Sequence, residues 1–362
     1  MNWRKFFIPQ LERVRPYEPG LREEQAQQVA VGKPIYKLSS NESPYPPFPV
    51  ALGAMTECLT TLNRYSDGSA GALKASIAAK FNVKPEQIMV GNGANELLSL
   101  LAQSCLDEHS RVAYCSPSFV VYRLSAQIAN AACDEVALDA QGGFDLEALA
   151  SAVGSHTKIV YVCSPNNPSG GIVRQRQFTR FIHALPRSVL VVVDMAYADF
   201  VQDPDHADPL ALFDGNRPLV ILRSFSKIYG LAGLRIGFGI APEPVVQAVD
   251  KLREPFNVNT VAQVAALASL HDDSELARRR ETNAGQRARL YKILDRVGLT
   301  YFHSEANFVW VHFDDPAWAF SELMKRGVIV RPFPAAGGLR IGVGSHEATL
   351  ATIEALEALF CR

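Results

Sequence analysis

The sequence predicts an α/β protein, with a doubly wound, mostly parallel β-sheet and a smaller C-terminal α+β domain. Between residues 88 and 240, short apolar runs alternate with segments long enough for helices; the runs are IMV, RVAYC, KIVYVC, VLVVVD, LVILRS and RIGFGI. Continuous apolar runs of this length are typical of strands in a sheet that helices cover on both faces. The chain has 362 residues, 48% of them hydrophobic, which suffices for two domains of about 150 residues each.

The order of the patterns along the chain predicts three parts. Residues 1–35 mix polar and apolar residues and contain several prolines, so we expect an N-terminal arm there. The large domain is expected to span residues 36–243 and the small domain residues 244–362, because long helical patterns follow the APEP segment. Near 275–296 an arginine-rich helix is predicted, with its RRR triplet facing solvent. NFVWVHF and GLRIGV then predict strands, before a closing helix from about His346.

Composition argues against several classes of partner. The 36 lysines and arginines nearly balance the 37 aspartates and glutamates, so charge gives no reason to expect nucleic acid or a membrane surface. No run approaches the ~18 apolar residues of a membrane span, and the start lacks the apolar core of a signal peptide. The six cysteines and eight histidines show no metal-binding spacing. We therefore expect a cytoplasmic protein with reduced cysteines and a small-molecule ligand.

The residues after each strand are the candidates for a binding site, because ligands of open α/β sheets bind outside the carboxyl ends of the strands. After IMV, the segment GNGANELL places glycines before a helix predicted to start near Asn95. Backbone N–H groups at such a start can bind phosphate, although taken alone such a loop is more often an ordinary glycine turn with an asparagine cap. Glu96 stands where a dinucleotide fingerprint needs its third glycine, which argues against a nicotinamide cofactor.

Asp194 ends the run VLVVVD, and Tyr197 follows three residues later. An aspartate in this place commonly caps a helix or pairs with a structural arginine. The functional alternative is that Asp194 faces a protonated heteroaromatic nitrogen, while the Tyr197 phenol hydrogen-bonds an oxygen on the same ring.

Lys227 follows the strand LVILRS, in the segment SFSKIYGLAGLRIG. Its apolar neighbours and a nearby cation, Arg235, would lower the pKa of its amine, as a lysine that forms a Schiff base requires. Ser224, Ser226 and Arg235 would hold a phosphate beside it. Together the three strand ends describe a site for pyridoxal phosphate, with Lys227 as the Schiff-base lysine and Asp194 at the pyridine nitrogen.

The motifs of the chain also resemble a known family. NGANE, SPSFVVY, CSPNNPSG, VVDMAYADF and SFSKIYGLAGLRIGF occur in the order seen in fold-type I pyridoxal phosphate aminotransferases. RPYEPG, LSSNESPY, NRYSDGS, REPFNVN, ANFVWV and GVIVRP more closely resemble the histidinol-phosphate aminotransferase family. The resemblance covers nearly the whole chain.

The resemblance implies roles for individual residues. The catalytic residues would be Lys227, Asp194 and Tyr197, and the phosphate would be bound by Ala94, Asn95, Ser224, Ser226 and Arg235. Phe119 would stack on the pyridine ring, and Asn167 would join Tyr197 at the ring hydroxyl. Tyr65 would reach the cofactor phosphate of a second subunit, which implies a homodimer. The substrate would be contacted by Tyr17, Arg331 and Arg340.

The activity that the resemblance implies is amino transfer from histidinol phosphate to 2-oxoglutarate, a step of histidine biosynthesis. An aromatic amino acid aminotransferase and a threonine-phosphate decarboxylase are alternatives that share every cofactor residue. The segment from Arg331 to Arg340, RPFPAAGGLR, is shorter than in most relatives, and it bears on the choice of substrate. A transcription regulator with an aminotransferase-like domain would need a DNA-binding domain, for which about 35 arm residues are too few.

Overall fold

The computed structural model describes residues 3–16, 27–30 and 32–361. The described strands are β1 Tyr36–Lys37, β2 Ile88–Gly91, β3 Arg111–Ser116, β4 Ala132–Ala137, β5 Thr157–Cys163, β6 Leu190–Asp194, β7 Leu219–Ser224, β8 Gly237–Ile240, β9 Phe308–His312, β10 Val328–Ile329, β11 Arg331–Phe333 and β12 Gly338–Gly342. The described α-helices are α1 Pro49–Cys58, α2 Gly71–Phe81, α3 Ala94–Cys105, α4 Val121–Ile128, α5 Leu146–Ser151, α6 Gln175–Ala184, α7 Glu243–Asp250, α8 Thr260–Ser269, α9 Asp273–Arg296, α10 Pro316–Lys325 and α11 His346–Phe360.

A seven-stranded sheet forms the centre of the fold, in the order β2-β8-β7-β6-β5-β3-β4. It contains all six predicted strands and one unpredicted edge strand, β4. Neighbouring strands from β7 to β4 pair in parallel, whereas β8 runs antiparallel to both β7 and β2. A parallel β8 would need a crossover long enough for a helix, and the link from β7 to β8 contains only one turn of 3-10 helix. The predicted mostly parallel α/β sheet is confirmed.

The sheet is covered on both faces. Every residue of β2, β6 and β8 is buried, although side chains of successive strand residues point to opposite faces. The runs of valine, isoleucine and leucine in β5 to β7 provide this two-sided apolar surface. The sheet and its helices share one large hydrophobic cluster. A rigid sheet of this kind holds the residues at its carboxyl edge in fixed positions.

A second, smaller hydrophobic cluster surrounds the antiparallel sheet β11-β12-β9, with apolar residues from α9, α10 and α11. Val246 of α7 and Ala262 of α8 belong instead to the large cluster. The domain limits at 35/36 and 243/244 therefore remain a prediction. These contacts favour a later division, within α9, because only the second half of that helix contributes Leu290 and Ile293 to the small cluster.

The expectation that the RRR triplet faces solvent is wrong for Arg279. This side chain is 3% exposed, and its guanidinium donates hydrogen bonds to the carbonyls of Ile228 at 3.1 Å and Pro46 at 2.7 Å. Arg278 stays at the surface, where it pairs with Glu275. The reason is that Arg279 lies on the side of α9 that faces the loop after Lys227 and the segment before α1, so it points inward and satisfies one carbonyl of each.

Two expected absences concern membranes and metals. In the ranges that the structure describes, no helix is both long enough and apolar enough to cross a bilayer. Among the same residues, no three side chains of histidine, cysteine, aspartate or glutamate come together as a metal site would require.

Candidate active site

A cavity of about 370 Å³ lies at the carboxyl edge of the large sheet. The last residues of β5, β6 and β7 line it, as does the start of α3. The predicted site residues in its wall are Ala94, Asn95, Phe119, Asn167, Asp194, Tyr197, Ser224, Ser226, Lys227, Arg235 and Arg340. One cavity thus collects residues that are spread over most of the chain.

One end of the cavity is built to hold an anion. Helix α3 begins there at Ala94, and the N–H groups of a first helical turn have no partner within the helix. Gly93 has a φ of +85°, and a Cβ at this residue would lie 2.7 Å from Nη2 of Arg235. Glycine therefore permits the guanidinium to sit against the helix start. N–H groups, a helix dipole and a cation together favour a bound phosphate.

Glu96 has a structural role that the sequence did not indicate. Its carboxylate accepts hydrogen bonds from the N–H of Asn92 and from Nδ2 of Asn257, each at 2.6 Å. Asn257 belongs to the motif REPFNVN, far along the chain. Glu96 thereby ties the glycine loop before α3 to the segment that follows α7.

Asp194 presents a buried carboxylate, 4% exposed, at the end of β6. Its Oδ1 accepts the N–H of Ala196 at 3.1 Å, and its Oδ2 accepts the hydroxyl of Tyr122 at 2.8 Å. Burial raises the pKa of the carboxyl, whereas the Tyr122 and Ala196 hydrogen bonds and the charge of Lys227 lower it. We missed Tyr122 in the sequence, although it stands three residues after Phe119 in the quoted motif SPSFVVY.

Lys227 is buried in the same cavity. Burial lowers the pKa of its amine to about 8, helped first by Arg340 and then by Arg235, while Glu42 and Asp194 oppose the shift. The amine lies 5.4 Å from the ring centroid of Tyr197. The lowered pKa is confirmed, but the leading cation is Arg340, which belongs to the small sheet, ahead of Arg235.

Tyr197 is fixed by a residue outside the predicted set. Its hydroxyl accepts a hydrogen bond from Nδ2 of Asn41 at 2.9 Å. The carbonyl of Asn41 in turn accepts Nδ2 of Asn307 at 3.2 Å, so both halves of the chain support this phenol. Asn41 has a φ of +54°, which asparagine tolerates better than most residues. The motif LSSNESPY was the signal that could have revealed Asn41.

The two predicted substrate arginines are direct partners in the antiparallel pair of β11 and β12. Cross-strand partners present their side chains on the same face. The Arg340 guanidinium also contacts Oδ1 of Asn167 and the carbonyl of Ser39. A second cavity, of about 720 Å³, adjoins this face; the arginines in its wall are Arg13, Arg15, Arg123, Arg331 and Arg340. It shares Phe119 and Asn167 with the first cavity, so the site continues into a strongly cationic entrance.

Two described residues of the predicted set, Arg331 and Tyr65, do not line the first cavity, and Arg331 lines the second one instead. Tyr17 lies outside the described residues. Tyr65 is 84% exposed and stacks on Phe256, with ring centroids 4.7 Å apart. A role for Tyr65 in the site of its own chain has no support in this placement, and its role toward a second subunit remains a prediction.

Comparison with known proteins identifies the class to which this fold and site belong. Residues 33–356 match the family model for aminotransferase class I and II, and the chain belongs to this family. A histidinol-phosphate aminotransferase of Moorella thermoacetica is 38% identical over 351 residues, covering 96% of this chain and 91% of its own length. An aromatic amino acid aminotransferase of Streptomyces avermitilis is also 38% identical, over 94% of this chain and 93% of its own.

Solved structures agree with this assignment. A histidinol-phosphate aminotransferase from Sinorhizobium meliloti, in complex with pyridoxal-5'-phosphate, matches with a TM-score of 0.89 and 26% identity over 98% of both chains. An aspartate aminotransferase from Thermus thermophilus with maleate matches with a TM-score of 0.86 at 22% identity, covering 98% of this chain and 99% of its own, which shows the fold alone. The predicted fold class and the resemblance to aminotransferases are confirmed.

Proposed function

We propose that this protein is a pyridoxal phosphate-dependent aminotransferase that exchanges an amino group between histidinol phosphate and 2-oxoglutarate. The observation that carries the proposal is the meeting, in one cavity, of a buried carboxylate, a buried amine with a lowered pKa and an anion-binding helix start. Relatives that bear the name histidinol-phosphate aminotransferase, at 37% to 40% identity over more than 90% of the chain, support the substrate.

The cavity residues fit this cofactor in charge and in chemistry. Its phosphate would be held at the start of α3; the groups are the N–H of Ala94 and of Asn95, Ser224, Ser226 and Arg235. Asp194 would face the pyridine nitrogen, since a buried carboxylate needs a positive partner. Tyr197 and Asn167 would bind the ring hydroxyl, and Phe119 would stack on the ring. Each of these residues lines the cavity.

When bound, pyridoxal phosphate supplies an electron sink that stabilises the negative charge left when the substrate Cα loses a proton. Lys227 would accept that proton at Nζ and deliver it to the carbon C4′ of the cofactor, which requires a neutral amine. A pKa of about 8 leaves a useful fraction of the amine neutral near physiological pH. Asp194 would keep the ring nitrogen protonated through its negative charge. Asn41 would keep the Tyr197 hydroxyl directed into the cavity.

The arginine-lined entrance favours a phosphorylated substrate. Histidinol phosphate has no α-carboxylate, and its phosphate ester carries close to two negative charges at neutral pH. Arg331 and Arg340 lie on one face of the small sheet and provide two guanidiniums, whose geometry suits phosphate. The same pair would serve the two carboxylates of glutamate in the other half-reaction.

We further propose that two copies of the chain form a homodimer in the cytoplasm. Tyr65 and Phe256 form an exposed aromatic pair, 84% and 45% exposed, which a second subunit could cover. Dimerisation would place Tyr65 at the neighbouring site, and the six free cysteines suit a reducing compartment.

Substrate choice is tested by side-by-side steady-state kinetics. With 2-oxoglutarate as acceptor, we expect a higher kcat/KM for histidinol phosphate than for phenylalanine or tyrosine. A higher value for either aromatic amino acid would replace this proposal by an aromatic aminotransferase, as in the Streptomyces relative. Release of carbon dioxide from threonine phosphate would indicate the decarboxylase.

Arg340→Lys should lower kcat/KM for histidinol phosphate by about tenfold or more, a loss above ~1.4 kcal/mol, because lysine cannot reproduce the two-pronged guanidinium contact. Arg296→Lys is the matched control, since Arg296 pairs with Glu357 at the surface and lines neither cavity. Equal kinetics for the two variants would remove Arg340 from the substrate site.

A further inference from the structure

We propose that Tyr122 is a positioning residue that holds Asp194 ionised and in a fixed orientation toward the cavity. The inference rests on the proposed function, in which Asp194 faces the cofactor ring nitrogen. Tyr122 does not line the cavity itself and acts only through Asp194. Its role is therefore separate from the set of residues that would touch the cofactor.

The hydrogen bonds of Asp194 define its orientation. The Tyr122 hydroxyl donates to Oδ2 at 2.8 Å, and the N–H of Ala196 donates to Oδ1 at 3.1 Å. Each oxygen therefore has one donor from the protein. The remaining acceptor capacity of the carboxylate is directed toward the cavity that Asp194 lines.

The ring of Tyr122 is held by other aromatic residues and is fully buried. It stacks on Tyr161, with centroids 4.6 Å apart and planes 9° apart. It also meets the ring of Phe119 edge-on, at 5.8 Å and 85°. Offset-stacked and edge-to-face pairs of this kind fix ring positions. The hydroxyl is thus delivered to Asp194 by a pre-organised group, and the same cluster positions Phe119.

The charges around Asp194 explain why this hydrogen bond matters. The titratable groups that face the carboxylate are Tyr122 from α4, Cys163 from β5, Lys227 after β7 and Tyr197 after β6. Burial raises the pKa of Asp194, and the Tyr122 hydroxyl is the largest influence that lowers it. Phenylalanine at position 122 would leave one oxygen of a buried carboxylate without its donor. The carboxyl would then hold a proton at higher pH and could no longer balance a protonated ring nitrogen.

Tyr161 offers a matched control in the same aromatic stack. Its hydroxyl is buried and has no hydrogen-bond partner within the described residues. Tyr122 and Tyr161 are the two members of one stacked pair, and Tyr122→Phe and Tyr161→Phe each remove the hydroxyl of one member. Only the first removes a donor to Asp194, so a difference between the variants reports on the hydrogen bond and not on packing.

The test measures the affinity for pyridoxal phosphate as a function of pH. Full-length protein is freed of cofactor and titrated with pyridoxal phosphate by absorbance, from about pH 5.5 to about pH 8.5. We expect Tyr161→Phe to stay within about twofold of wild type at each pH. Tyr122→Phe should bind about tenfold more weakly or worse, and the gap should widen as the pH falls, because protonated Asp194 becomes more populated.

A double variant shows whether Tyr122 acts through Asp194. Asp194→Asn should bind the cofactor weakly, and adding Tyr122→Phe should change its affinity by less than about twofold at each pH. A further tenfold loss in the asparagine background, or equal pH profiles for Tyr122→Phe and Tyr161→Phe, would overturn the inference. Failure of the wild type to bind pyridoxal phosphate would instead refute the proposed function.

Discussion

At the scale of single residues, the site depends on opposite shifts of two buried groups. Burial raises the pKa of Asp194 and lowers that of Lys227, because it disfavours the charged form of each. Hydrogen bonds keep Asp194 toward its anionic form, whereas Arg340 and Arg235 push Lys227 further toward its neutral form. An aspartate anion beside the ring nitrogen and a neutral lysine amine are the two states that the proposed amino transfer requires.

The Lys227 amine should titrate near pH 8 in the chain without cofactor. The group is mostly charged below this pH and mostly neutral above it, so its acetylation rate should rise through about pH 8. A lysine with the ordinary pKa reaches its midpoint near 10.4. Peptide mapping by mass spectrometry gives the rate for each lysine separately.

Arg340→Met should move the Lys227 midpoint to higher pH, because Arg340 is the leading cation among the causes. Arg296→Met, at the surface pair with Glu357, should leave it unchanged. An unchanged midpoint in Arg340→Met would mean that Arg340 does not contribute to the lowered pKa of this amine.

At the scale of elements, the anion site depends on how closely β8 approaches the start of α3. Gly237 of β8 pairs with Gly91 of β2. A Cβ at Gly237 would lie 2.5 Å from the backbone nitrogen of Ala94 and 3.0 Å from the carbonyl oxygen of Arg223. These are backbone atoms, so the contact cannot be relieved by turning a side chain. The glycine therefore sets the position of the first helical N–H group.

Gly237→Ala should weaken pyridoxal phosphate binding by about tenfold and destabilise the fold by roughly 1–3 kcal/mol, since β8 and α3 must move apart. Gly285→Ala is the control, because Gly285 lies in α9 with nothing within 4 Å of its Cβ position. That change should stabilise the protein by about 0.5–1 kcal/mol, as alanine favours a helix. Thermal unfolding and cofactor titration check both variants, and normal affinity in Gly237→Ala would contradict this account of the anion site.

At the scale of the whole molecule, the site lies where the two hydrophobic clusters meet. The large sheet supplies Asp194 and Ser224, the loop after β7 supplies Lys227, and the small sheet supplies Arg340. Arg340 contacts Asn167 and the carbonyl of Ser39, which join the small sheet to the loops of the large one. A movement of one sheet relative to the other would therefore change the substrate site and the charge around Lys227 together.

The proposed dimer predicts complementation between inactive chains. Lys227→Ala and Tyr65→Ala should each be inactive alone, yet a mixture allowed to exchange subunits should recover activity. One site of the mixed dimer would then combine Lys227 of one chain with Tyr65 of the other. Activity assays after mixing, with subunit exchange confirmed by mass spectrometry, measure the recovery.

A second mixture controls for this effect. One chain carries Lys227→Ala and the other carries Asp194→Asn. Each cavity takes both residues from its own chain, so each site of the mixed dimer lacks one of them. This mixed dimer should stay inactive. Confirmed exchange without recovery in the Tyr65 mixture would show that Tyr65 does not act across an interface.

The amino-acid sequence alone predicts six of the seven strands of the large sheet, the candidate residues at their carboxyl ends and the family. Asp194, Ser224 and Lys227 could be identified because each follows an apolar run, and parallel strands bring their carboxyl ends to one edge. Each apolar run can be recognised from its own segment, and the rule that ligands bind at the carboxyl ends of parallel strands applies to open α/β sheets in general. The seventh strand, β4, escaped prediction because its half-exposed ACDEVA segment lacks a continuous apolar run.

The distant side chains that complete the candidate site become visible only in the folded chain. Tyr122 meets Asp194 across 72 positions, Asn41 meets Tyr197 across 156, and the burial of Arg279 depends on where α9 crosses the loop after Lys227. The pairing of β11 with β12 likewise brings Arg331 opposite Arg340. A sequence pattern reports how one segment meets water or its neighbours in the chain. The pattern does not give the distance between two segments. Hydrogen bonds and pKa shifts depend on that distance and change when it changes by a few ångströms.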